Sequence, residues 1–233
     1  TFHNVTFSGT TATSSSFSVG GALTVGGSGN FSPSGGTVTL NNGASISNSG
    51  TLTFRSLTTA ASATATMNTS FNLLGTLTNG ATATLTSNSG TVVFYDGSAI
   101  VNSGTSLVFN YLTTAGSSTV TANTSFTVAS TFTNGSSSTF APSSGTITIN
   151  GGGSIVNSGS LTFKNLTTSC STAAVTADTN FGVSGTLTNG STCTLAPSSS
   201  TWTFSGSSSV FTNNGTYTAS GTHTDVFTNT GNV

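Results

Sequence analysis

FKNLTTSCSTAAVTADTNFGVSGTLTNGSTCTLAPSSSTWTFSGSSSVFTNNGTYT, residues 163–218, decides the fold, because two earlier stretches of the chain repeat its pattern. From Phe109 the chain reads FNYLTTAGSSTVTANTSFTVASTFTNGSSSTFAPSSGTITINGGGSIVNSGSLT, and from Phe54 FRSLTTAASATATMNTSFNLLGTLTNGATATLTSNSGTVVFYDGSAIVNSGTSLV. A more diverged copy begins at Phe2. The units are 1–53, 54–108, 109–162 and 163–218, with a partial unit 219–233, so the period is about 54 residues. Self-similarity on this scale marks a repeat architecture and governs every later reading.

Within each unit, short runs alternate: Leu-Thr-Phe, Thr-Ile-Thr-Ile, Thr-Trp-Thr-Phe, Thr-Val-Thr-Leu. A period of two, carried by Thr and β-branched residues, is the signature of strands. No stretch has a helical period. Large apolar residues recur at Phe54, Phe71, Val92 and Phe109, in steps of 17, 21 and 17. These steps predict an all-β fold, a parallel β-helix (β-solenoid) of about 13 coils, with about 18 residues per coil and three coils per 54-residue repeat. The whole of 1–233 is expected to form one such domain, with apolar ladders inside and Thr and Ser outside. A row of β-sandwiches is the rival, but 54 residues is short for one. Asn48, Asn102, Asn157 and Asn213 share one phase and are expected to stack as a turn ladder. Asn79-Gly80, Asn134-Gly135 and Asn189-Gly190 share another, where a positive φ is expected.

The run GTLTNG, the FxNLTT starts and the NSGxLTF joins resemble the Thr/Asn/Gly-rich β-solenoid repeats of large bacterial surface proteins and adhesins. The resemblance covers essentially the whole chain. It implies secretion, surface display and an adhesive or scaffolding role, and it brings no catalytic residues with it.

Composition narrows the function. Charged residues make up 2% of the chain and the net charge is −1, while about two-fifths of residues are Ser or Thr. Nucleic-acid binding needs many Lys and Arg to displace phosphate counterions; Arg55 and Lys164 are the only two. The same poverty argues against a polybasic membrane patch. No apolar run approaches the roughly 18 residues of a membrane span. Sixteen Phe, regularly spaced, argue against disorder.

Candidate chemistry is sparse. Cys170 and Cys193 lie in phases that suit a bridge across adjacent coils, which points to an oxidising, extracellular or cell-surface location. Two cysteines do not make a four-ligand zinc site, and no cofactor is expected. The acids Asp96, Asp178 and Asp225 are scattered, so neither the paired carboxylates of glycoside hydrolysis nor another acid–base constellation is expected; the chain reads as a non-enzyme. His3 and His223 lie near opposite chain ends and read as unrelated surface residues. Ice binding through threonines needs long unbroken files on one face; Thr-x-Thr here alternates with Ser, Ala and Gly, which argues against it. Sequons occur at Asn4, Asn30, Asn68, Asn123, Asn134, Asn165, Asn189 and Asn214, candidates for surface glycans.

The chain ends carry the functional expectation. Neither a capping helix nor a polar terminal repeat is evident, although an open solenoid end exposes strand edges. The internal join Asn157-Ser-Gly-Ser-Leu161-Thr-Phe163 matches Asn229-Thr-Gly-Asn-Val233 followed by Thr1-Phe2, without insertion or gap. The residues Thr1, Phe2, Val5, Phe227, Asn229 and Val233 therefore form a candidate polymer joint. A heterologous contact that does not close generates an open fibre. The expected role is a head-to-tail filament subunit whose partner is itself; the alternative is a stalk or adhesin segment of a larger surface protein, and ice or glycan binding is a lesser one.

Overall fold

Thr and β-branched residues at every second position favour extended backbone, and each such run finds its partner about one coil further along the chain. The structure, a computed structural model, describes residues 1–228 apart from 96, 118 and 172. Every described strand pairing is parallel, and paired residues lie 18 to 24 positions apart, as in Val5↔Leu23, Phe71↔Val92 and Leu187↔Phe211. Coils contribute short strands to three sheets, and around Val175 the third strand is reduced to single bridges. The fold is a parallel β-solenoid without helices among the described residues, as the alternation predicts.

The chain divides into two compact units, Thr1–Asn110 and Tyr111–Val233. In the first unit, sheet 1a stacks Val5–Phe7, Ala22–Val25, Ser45–Asn48, Thr64–Asn68, Thr84–Ser89 and Ser106–Phe109. Sheet 1b stacks Thr10–Thr11, Asn30–Phe31, Thr51–Phe54, Phe71–Leu73 and Thr91–Phe94, and sheet 1c Phe17–Val19, Thr37–Leu40, Ser56–Thr59, Thr76–Asn79 and Ala99–Asn102. In the second unit, sheet 2a runs from Tyr111–Thr114 through Thr131–Asn134 to Ser154–Asn157. Single bridges at Val175 and Thr176 then lead to Thr194–Leu195, which pairs with Thr216–Tyr217. Sheet 2b stacks Thr119–Val120, Thr139–Phe140, Ser160–Phe163, Phe181–Val183, Thr201–Phe204 and Thr224–Phe227. Sheet 2c stacks Phe126–Val128, Thr146–Asn150, Asn165–Ser169, Thr186–Asn189 and Val210–Asn213.

The coil is longer than the sequence suggested, close to 21 residues rather than 18; 32 described strands at three per coil give about ten coils rather than 13. The reason lies in which apolar residues share a sheet. Phe71 and Val92, 21 apart, are true neighbours in sheet 1b. Phe109 lies 17 beyond Val92 but sits in sheet 1a, on the strand that pairs with Thr84–Ser89. The sequence repeat is therefore eight strands, not nine. Between Val5–Phe7 and Ser56–Thr59, or between Tyr111–Thr114 and Asn165–Ser169, the chain advances eight strands, two and two-thirds coils. Successive repeats land on different sheets: Val5–Phe7 in 1a and Ser56–Thr59 in 1c, Tyr111–Thr114 in 2a and Asn165–Ser169 in 2c.

Inside each unit the apolar side chains form ladders. Phe31, Phe54, Phe132, Phe140, Phe163, Trp202 and Phe204 are fully buried. Neighbouring rings meet edge-to-face, as in Phe54–Phe71 at 5.2 Å and Phe163–Phe181 at 5.5 Å. Each buried Phe contributes about 1.5–3 kcal/mol of transfer free energy, and a favourable ring pair adds about 0.5–1.5 kcal/mol.

The Asn ladder is also different from the expected one. Asn48, Asn102, Asn157 and Asn213 cannot stack on each other, because repeat-equivalent positions fall on different sheets. Instead Asn102 pairs with Asn79, Asn157 with Asn134 and Asn213 with Asn189, one coil apart. The Asn134 Nδ2 group donates to Asn157 Oδ1 at 2.8 Å and to Ser160 O at 3.0 Å, while Thr114 Oγ1 donates to Asn134 Oδ1 at 2.5 Å. Asn189 repeats this set with Asn213, Thr216 and Thr168. A buried amide that left these groups unpaired would cost about 1–3 kcal/mol. The glycines that follow do not take the expected positive φ. Gly135 and Gly190 are needed for close approach: an added Cβ would lie 2.8 Å from Thr114 O and 2.6 Å from Thr168 O.

Candidate functional site

Three places depart from the regular ladder: the first coil of the first unit, the last described coil of the second unit, and the corner that carries the disulfide. The first coil is apolar and open. Phe2 is 49% exposed, and Val5, Phe7 and Phe17 are half-buried. Together with Thr1 they line a concavity of about 420 Å³. Phe2 reaches over Phe17 at 5.8 Å, held by a hydrogen bond from its own N–H to Ser18 O. The strands Val5–Phe7, Thr10–Thr11 and Phe17–Val19 are each the terminal members of their sheets.

The last described coil is different inside. Register places Tyr217 against Leu195, and Asp225 against Trp202. His223 follows in the position of Ser200, since Thr224 N bonds Ser200 O. Where the preceding coil is mostly apolar, this coil brings a phenol, an imidazole and a carboxylate together. Tyr217 Oη donates to Asp225 Oδ2 at 2.7 Å and lies 2.7 Å from His223 Nε2, which is 3.1 Å from Asp225 Oδ1. Ser200 Oγ meets His223 Nδ1 at 2.9 Å. With the imidazole proton on Nε2, every one of these groups has a partner. Burial, then the hydrogen bond and the negative charge of Asp225, hold the Tyr217 phenol well above the usual tyrosine range. The expectation that His223 and Asp225 are solitary surface residues is thus corrected.

The contact order Ser200–His223–Asp225 resembles that of a nucleophile, a base and an orienting acid. Ser200 is only 4% exposed, however, and the indole of Trp202 stands 4.7 Å from the imidazole. A substrate carbonyl has no approach to a hydroxyl so enclosed. The arrangement fits a polar plug over the aromatic ladder. Phe211, Val226 and Phe227 beside it are half-buried, and Phe227 stacks on Phe204 at 4.5 Å.

Cys170 and Cys193 form a disulfide across adjacent coils, as their phases predict. It lies beside the Thr168–Asn189 contact, at positions equivalent to Gly116 and Ser138, where Ser138 Oγ donates to Gly116 O at 3.2 Å. The remaining candidates scatter. Asn229, Val233 and Asp96 lie outside the described residues. Thr1 and His3 are exposed in the first unit. Arg55 is exposed, Lys164 is half-buried, and the exposed Asp178 accepts a hydrogen bond from Ser198 N. Among the sequons, Asn4, Asn68, Asn123 and Asn214 are exposed, and Asn30 and Asn165 are half-buried. Asn134 and Asn189 are fully buried with their amides engaged, so the folded chain closes both to a glycan.

The described residues hold no group of three or more His, Cys, Asp or Glu placed to bind a metal, and no described helix is long and apolar enough to cross a membrane. No protein family, curated protein or solved structure matches the chain.

Proposed function

We propose that this chain is a non-enzymatic structural subunit of an extracellular filament, with the last coil of one copy stacking on the first coil of the next. The observation that carries the reading is the open apolar coil at Phe2, Val5, Phe7 and Phe17. Val5–Phe7 and Thr10–Thr11 end their sheets there, while Phe2 bridges the outer edge of Phe17–Val19; an exposed strand edge is a template for another chain. Val210–Asn213, Thr216–Tyr217 and Thr224–Phe227 are the matching terminal members in the second unit. The disulfide favours an oxidising compartment, and the exposed sequons offer places for glycans on a surface with almost no charge.

Electron microscopy and sedimentation of the purified 233-residue chain test the reading. Fibres that lengthen with concentration are expected, and Phe2→Ser with Phe17→Ser should abolish them. A chain that stays monomeric at high concentration overturns the reading and favours a stalk or adhesin segment, in which covalently continuous coils would cover the same edges.

A further inference from the structure

The outward positions of sheet 2c hold an unbroken file of threonines: Thr127, Thr148, Thr167, Thr188 and Thr212 are consecutive register partners. Two residues along each strand runs a second file, in which Thr146 pairs with Asn165 and Thr186 pairs with Val210. All nine side chains are half-buried. The other sheets of this unit lack such a file. The matching positions in sheet 2b are Thr162, Gly182, Thr203 and Val226, and in sheet 2a Thr113, Thr133 and Val156. Strand propensity would place Thr on all three sheets alike, so it does not explain the concentration on one.

We propose that this face of the second unit binds crystalline water. Stacked strands repeat about every 4.8 Å, and alternate residues along a strand repeat about every 6.6 Å, so the backbone fixes an evenly spaced file of five threonines, with Thr146 and Thr186 set one alternate position beside it. Each Thr offers a hydroxyl that both donates and accepts, beside a methyl group that discourages disordered hydration. The strands of sheet 2c contain no Asp, Glu, Lys or Arg, whose own hydration shells would disrupt an ordered layer. A periodic file of identical small groups suits a periodic ligand. Protein partners are usually met by aromatic, Met and Arg side chains, and a crystalline polysaccharide by exposed rings on which sugars stack. The outward positions of this face carry none of these. Sequence argued against ice binding because Thr-x-Thr is interrupted along the chain; across the coils, one file is not.

The test is thermal hysteresis and inhibition of ice recrystallisation by the full 233-residue chain. Hysteresis above a serum-albumin control is expected, with its loss in Thr148→Tyr and in Thr167→Tyr, and its retention in Thr203→Tyr on sheet 2b. Circular dichroism melts check that each variant folds; should a Tyr variant unfold, Thr167→Ser, which keeps the hydroxyl and removes the methyl, is expected to weaken hysteresis. Absence of hysteresis from the folded chain, its survival in a folded Thr167→Tyr, or retention of the chain on cellulose or chitin particles but not on ice overturns the proposal. The readout needs only monomer and is independent of the filament reading.

Discussion

The first coil of the first unit and the last described coil of the second are built on the same three-strand plan, yet their interiors are opposite. One opens Phe2, Val5, Phe7 and Phe17 around an apolar concavity. The other sets Tyr217, His223 and Asp225 over the buried Trp202. The backbone pattern of a solenoid is thus indifferent to what its interior holds. Side chains alone decide what a coil offers to whatever packs on it. Apolar surface left open is costly and stays sticky, whereas a polar cluster satisfied within itself leaves the half-buried Phe211, Val226 and Phe227 as the apolar part of that end.

The sharpest way to break the contrast is to empty the ladder beneath the plug. Trp202→Ala should destabilise the second unit by about 3–5 kcal/mol, because the indole is fully buried between Phe181 and His223. Denaturant melts followed by aromatic fluorescence and circular dichroism would measure it. Phe2→Ala, by contrast, removes a half-exposed ring and should cost well under that, about 1 kcal/mol or less.

Next in size is the disulfide, which belongs to the second unit only. Reduction, or Cys193→Ser, should cost that unit about 2–4 kcal/mol. Ala61 and Ala83 occupy the equivalent positions of the second repeat, two residues after Thr59 and four after Asn79, which are register partners. Ala61→Cys with Ala83→Cys should therefore form a bridge and raise the melting temperature of the first unit, with mass analysis showing the loss of two hydrogens.

A smaller effect comes from the ladder amides. Asn189→Ala removes three donated hydrogen bonds at a buried site and should cost about 1–3 kcal/mol. Asn214→Ala, at an exposed sequon, should change stability little.

The smallest effect is specific to the polar plug. The Tyr217 phenol ionises at higher pH in the folded chain than in the unfolded one. Above the usual tyrosine value of about 10, the unfolded chain therefore binds fewer protons, and stability falls as pH rises toward the folded value. Below about pH 10 the contribution is fully present. Tyr217→Phe should flatten this alkaline slope in melts recorded from pH 8 to 12.

Strands, their parallel stacking, the buried Phe positions and the Cys170–Cys193 bridge were all legible in the sequence, because each depends on alternation or on phase within the repeat. The coil length was not. Apolar steps of 17 and 21 residues mix two relations, a neighbour on the same sheet and a neighbour on the next. A better ruler was present in the corner residues. Ser16 accepts from Thr37 N, Asn42 from Thr64 N, Ser70 from Thr91 N and Asn180 from Thr201 N, each about 21 positions on. The polar plug was hidden for the same reason. Ser200 and His223 become neighbours only when that coil takes 23 residues, so separate readings of His223 and Asp225 found solitary charges.

The central claim, that one copy's last coil meets the next copy's first, is tested most directly by cross-linking. Stacking the terminal Val5–Phe7 on the terminal Thr216–Tyr217, with half-buried Val5 against half-buried Tyr217, sets the outward Thr6 against Thr218. Both side chains are exposed in the single copy. Thr6→Cys with Thr218→Cys in one chain, oxidised and run on a non-reducing gel, should give a ladder of covalent multimers that collapses to one band on reduction. A single monomer band after oxidation, at concentrations where the parent chain forms fibres, would contradict the account.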